Sequence, residues 1–155
     1  AGLSRAMREV KSLGLQVGLH TAGMYPRRLG EVLKQVDWIG FDVKAPLDRP
    51  GSHDRVTGVR DSALPVRDSV QAVLASGVEH EFRTTAHPGL LDDEALLRIG
   101  SGLAAAGATT YALQIYRDGG GSAASLDPVG LGYPRAGTVQ RLADLFATFT
   151  LRRDA

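Results

Sequence analysis

Asp42 and Lys44 stand two positions apart at the end of the apolar run that opens at Trp38 in DWIGFDVKAP. Alternate residues of a strand share a face, so a carboxylate and an ammonium at this spacing leave the strand end side by side. Two readings fit such a pair. One is an ion pair at a sheet rim; the other is a recognition pair for a zwitterion, the lysine taking a carboxylate and the aspartate an ammonium or a cation. A strand-end lysine whose surroundings favour the neutral amine would instead suit Schiff-base chemistry.

Other apolar runs also end in polar residues: His20 and Thr21, then Arg83, Thr84, Thr85 and His87, then Gln114, Tyr116 and Arg117. One polar strand end is ordinary where a chain surfaces, but four in succession point to convergence on a site. Arg83 is suited to a bound carboxylate or to an ion pair with Glu81 or another strand neighbour, and the sequence leaves both open. His20 and His87 lie on different strands without the short spacing of a metal site, so they read as hydrogen-bonding groups and no metal ligand is assigned. His80 reads as a strand surface residue and His53 as part of a flexible polar loop. Gly119 to Gly121 lacks both the spacing of a dinucleotide fingerprint and the lysine of a P-loop, and reads as a mobile loop.

The elements that carry these residues repeat one grammar. SLGLQV, ASGVEHEF and AAGATTYAL each close a helix on glycine and start a strand at once. The spacing predicts strands near 15–20, 37–43, 78–84 and 109–115, alternating with amphipathic helices. Such units build a parallel sheet, either doubly wound or part of a (β/α) barrel, with functional groups at the carboxyl ends of the strands. One domain is expected over 1–155: a core at 1–118, a glycine-rich loop at 119–137 and a last helix at 138–150 carrying Leu142, Leu145, Phe146 and Phe149. A net charge of +1 argues against nucleic-acid binding through bulk electrostatics. No apolar run is long enough to span a bilayer, and a cytoplasmic protein is expected. The chain has no cysteine, which removes disulfides, thiolate metal sites and any iron–sulfur cluster held by these residues.

In order, LHTAG, PRRL, VDWIGFDVKAP, HDRVTGV, EFRTTAHP and YALQIYR resemble the radical SAM superfamily, specifically the activating proteins of anaerobic ribonucleoside-triphosphate reductase, over about Leu3 to Arg117. The resemblance implies a partial (β/α) barrel of about four parallel strands in sequential order, helices on one face and an open edge beside the first strand. It further implies a chain truncated at its N-terminus, because the family's cluster loop CxxxCxxC and its GGEP strand end are both absent here. By position it places Thr21, Asp42, Lys44, Arg83, Thr84, Gln114 and Tyr116 around S-adenosylmethionine (SAM), with Thr85 beside them; His20 and Ala22 depart from the family's usual DTNG. The [4Fe–4S] cluster would belong to the full-length protein only, and the partner would be a glycyl radical enzyme such as anaerobic ribonucleotide reductase. No residue of this chain is assigned a catalytic role. Two alternatives accompany this reading: an aldolase-like lyase with Lys44 as the Schiff base, and a degenerate module that binds SAM or a partner without turnover.

Overall fold

Every helix-closing glycine the sequence marks takes up the left-handed backbone such a stop requires: Gly14 at φ 77°, Gly77 at 70° and Gly107 at 101°. The computed structural model describes residues 2–49, 51–117 and 126–153. Among them the elements run α1 (Gly2–Ser12), β1 (Gly18–Thr21), α2 (Pro26–Val32) with a short 3₁₀ turn, β2 (Trp38–Asp42), α3 (Ser52–Thr57), α4 (Ala63–Ser76), β3 (Glu79–Ala86), α5 (Asp93–Ala105), β4 (Thr110–Ile115), α6 (Ala136–Ala143) and β5 (Thr148–Arg152). Proline opens α2, where a missing N–H costs nothing. The Asp92 side chain caps α5 by accepting from the Ala95 N–H at 2.8 Å.

All four strand pairings are parallel, and the described sheet has the order β1-β2-β3-β4-β5. Sequential order is the topology of a (β/α) barrel wall, whereas a doubly wound sheet reverses direction at a switch point. The strand period then sorts the side chains. Ile39, Phe41, Val43, Phe82, Ala86, Tyr111 and Leu113 point to one side and join Val66, Val70, Val73, Leu96, Ile99 and Leu103 of the helices in a single core. The opposite side carries His20, Trp38, Gly40, Asp42, Glu81, Arg83, Thr85, Gln114 and Arg152 in matched register, a largely polar face.

The C-terminal region departs from the expected helix over 138–150 and from the count of four strands. The helix ends at Ala143, and Thr148–Arg152 forms a fifth parallel strand on β4. Phe146 and Phe149 both pack on the buried Tyr111 ring, at 5.0 and 6.1 Å between centroids, but from a turn and from a strand. Their helical spacing is coincidental, and Thr148 to Leu151 is a β-branched and aromatic alternation that suits a sheet edge. His53 also departs: it lies on α3 with 1% of its surface exposed, not in a flexible loop. His80 is half-buried on the core side, edge-on to Phe82 at 5.1 Å. Gly119 to Gly121 lies outside the described residues. None of the described helices is long and apolar enough to cross a membrane.

Candidate functional site

Where β2 ends, Asp42 and Lys44 do leave the strand together on this polar face. Lys44 Nζ lies 3.7 Å from Asp42 Oδ2, too far for a hydrogen bond, and the two side chains are 44% and 36% exposed. An exposed pair this loose adds little to stability and leaves both charges open to a ligand. The other carboxylate oxygen is occupied. Arg83, directly opposite on β3, donates from Nε to Asp42 Oδ1 at 3.1 Å and forms an ion pair with the same oxygen through Nη2 at 3.0 Å.

Arg83 also donates through Nη2 to His20 Nδ1 at 2.6 Å. A guanidinium has only donors, so His20 accepts at Nδ1 and carries its proton on Nε2. This fan of side chains needs an empty position beneath it, and Gly40 supplies one. A Cβ there would sit 2.9 Å from His20 Nδ1, 2.9 Å from the Trp38 ring and 3.0 Å from Arg83 Cζ. The glycine in the middle of a buried strand is therefore a packing requirement of the network above it.

Beyond the strand ends a hollow of about 180 Å³ is lined by Asp42, Lys44, Thr85, His87, Tyr116 and Val56, among others. His87 is buried and fully engaged: it accepts from Gly89 N–H at Nδ1, 3.0 Å, and donates from Nε2 to the Asp127 carbonyl, 2.9 Å. The Tyr116 ring stands edge-on to it at 5.4 Å. Gln114 sits in register between Thr85 and Arg152 on the open face.

Two of the residues grouped with this site by sequence lie elsewhere. Thr84 shares the parity of Phe82, is fully buried, and donates its hydroxyl to the Val43 carbonyl at 2.8 Å; its neighbour Thr85 is the threonine that faces the hollow. Thr21 likewise falls on the core parity, where its Oγ1 accepts from Gly23 N–H at 3.1 Å and shapes the turn after β1. That turn demands glycine twice over, since Gly23 has φ 68° and a Cβ there would meet Phe41 Cζ at 2.2 Å. Arg83, for its part, pairs across to Asp42 and not with Glu81, which is held by Arg152.

The Glu81–Arg152 pair was not foreseeable without the fifth strand. It is bidentate, with Nη1–Oε1 at 2.9 Å and Nη2–Oε2 at 2.7 Å, and ties β5 to β3 across the open face. A second unforeseen assembly centres on His53, near enough to Lys44 to feel its charge. His53 Nδ1 meets Ser62 Oγ at 2.6 Å, and Ser62 Oγ donates to Asp54 Oδ1 at 2.9 Å. Asp54 also accepts from the N–H groups of Asp61 and Ser62, which together hold its carboxyl below the usual carboxylate range. Burial is the main cause that lowers the His53 pKa, opposed by the Asp54 charge and reinforced by Lys44.

No side-chain arrangement among the described residues brings three or more His, Cys, Asp or Glu groups together to hold a metal. The architecture is thus a parallel partial (β/α) barrel whose polar rim gathers at the carboxyl ends of β2, β3 and β4. The chain is similar to the crystal structure of a domain of pyruvate-formate lyase-activating enzyme from Bacteroides vulgatus, with a TM-score of 0.75 over 97% of this chain and 89% of that one. At 15% identity the two share the fold. No family model and no curated protein matches the chain.

Proposed function

We propose that this chain is the SAM-recognising part of a radical SAM activating enzyme, which as a whole generates a glycyl radical on an anaerobic ribonucleotide reductase or a related glycyl radical enzyme in the cytoplasm. The observation that carries the reading is the Asp42–Lys44 pair, separated by 3.7 Å at the exit of β2 and bordering the hollow between the strand ends. The fold likeness to a domain of an activating enzyme supports it.

In this reading Lys44 takes the methionyl carboxylate of SAM and Asp42 Oδ2 takes its ammonium group. Arg83 keeps Asp42 aligned through Oδ1, so its role is to position the carboxylate and not to touch the ligand. Thr85, Gln114 and Tyr116 offer hydroxyl and amide groups to the nucleoside. An iron–sulfur cluster does not fit these residues, because the chain has no cysteine. Whatever cluster the whole enzyme uses is held by thiolates outside them.

Lys44 is not set in the apolar enclosure that an amine nucleophile requires; it is 44% exposed beside a carboxylate. Calorimetric titration of the chain with SAM, run beside borohydride reduction with small aldehydes, tests the proposal. The expected result is saturable SAM binding without a trapped adduct. A stable adduct at Lys44, with no SAM binding, would overturn it.

A further inference from the structure

The helix layer has a gap. α2 packs on α4 and α5 packs on α6, but α4 and α5 barely touch. Between them lies a cleft of about 180 Å³ on the side of the sheet away from the Asp42–Lys44 rim. Its floor is aliphatic, built by Val43, Val70, Ile99 and Leu103. Gly102 of α5 also lines it, and a Cβ at that position would meet nothing within 4 Å.

The rim is cationic. Arg67 of α4 and Arg98 of α5 border the cleft, and Asp48 is the only carboxylate among the described residues that line it. Asp48 is already paired with Arg98 through Nη2, yet Arg98 Nε is buried without an acceptor among the described residues. Arg67 forms no ion pair or hydrogen bond with any described residue. An apolar floor with one spare guanidinium and one buried N–H lacking an acceptor is complementary to a ligand with an apolar body and a single carboxylate. The volume sets the size of that body: a cavity of roughly 150 Å³ holds benzene.

We propose that the α4–α5 cleft binds a small aromatic or branched aliphatic carboxylate of about the size of benzoate, its body on the aliphatic floor and its carboxylate between Arg67 and Arg98. This site is separate from the strand-end rim and does not depend on what binds there.

The test is an NMR titration of the chain with benzoate, and with benzyl alcohol as an uncharged analogue of similar shape. Benzoate should give saturable shifts at the methyl groups of Val43, Val70, Ile99 and Leu103, and benzyl alcohol should bind about tenfold more weakly or worse. Arg67→Met should weaken benzoate by about fivefold or more while leaving benzyl alcohol unchanged. Gly102→Leu places a better helix former in open space, so it should fill the cleft and abolish binding without lowering the melting temperature. Unsaturable shifts, equal binding of the two probes, or wild-type binding by a folded Gly102→Leu variant would each overturn the proposal. So would shifts that track protein concentration, which would mean that a second copy of the chain covers the cleft.

Discussion

Arg83 and Asp42 face one another in register on β3 and β2 and are joined by two contacts to one oxygen, Nε–Oδ1 at 3.1 Å and Nη2–Oδ1 at 3.0 Å. The arginine is only 12% exposed, so its charge is largely taken out of water and depends on Asp42 and His20 for partners. Because Arg83 engages Oδ1, Oδ2 is the oxygen left towards Lys44.

This arrangement rests on Gly40. Gly40→Ala would press a methyl group against His20, Trp38 and Arg83 at about 3 Å, and all three cannot move away without breaking the Arg83 contacts. The substitution should cost about 1–3 kcal/mol as overpacking. Urea denaturation would read it as a lower midpoint with an unchanged slope; an unchanged midpoint would show that the network yields freely.

Histidine 53 gives the chain a dependence on mild acid. Its folded pKa lies below its unfolded value, chiefly through burial, so the unfolded chain binds the proton more readily. The stability it contributes is complete above the unfolded value of about 6.5 and is lost as pH falls through the folded one. Denaturation midpoints measured at pH 7 and pH 5 should fall for the wild type and stay nearly level for His53→Gln.

A separate window belongs to Asp54, whose carboxyl is lowered by the N–H groups of Asp61 and Ser62 and by the Ser62 hydroxyl. Its contribution is complete above the unfolded value of about 3.9 and disappears as pH drops further. Asp54→Asn should be less stable than wild type at pH 6, with the difference closing towards pH 2. A constant difference across that range would remove the carboxylate from the account.

The cysteine-free composition has its own consequence. Given ferrous iron and sulfide without oxygen, the chain should develop no stoichiometric [4Fe–4S] absorbance or electron paramagnetic signal on reduction. A full cluster spectrum would contradict the assignment of the thiolates to residues outside the chain.

How much of this was legible in the sequence depended on punctuation. The first four strands follow glycine stops or a proline-started helix, and their positions agree with the structure to within a few residues at each end. β5 follows no such stop: α6 closes on Asp144 in ordinary helical backbone, and Leu142, Leu145, Phe146 and Phe149 carry a helical spacing straight through the boundary. With β5 unseen, Arg152 had no place and the Glu81 partner could not be named. Thr84 and Thr85 illustrate a different limit. Adjacent strand residues must face opposite ways, and the buried Phe82 marks the core parity that Thr84 shares, so a strict period-two reading separates them. His53 was hidden because HDRVTGVRDS is mostly polar and carries only Val56 and Val59 as apolar residues, and the contacts among His53, Asp54 and Ser62 leave no periodic trace.

Calorimetry of SAM binding to the wild type and to Lys44→Ala, with urea denaturation of both, tests the central claim most directly. Removing a charge-assisted bond to the methionyl carboxylate should weaken binding by about 1.5–3 kcal/mol. The denaturation midpoint should hardly move, because Lys44 is 44% exposed and its contact with Asp42 is 3.7 Å long. Asp42→Asn should weaken binding in the same direction. If Lys44→Ala bound SAM as the wild type does but unfolded at distinctly lower urea, the pair would be a structural ion pair at the sheet rim, and the strand-end site proposed here would be wrong.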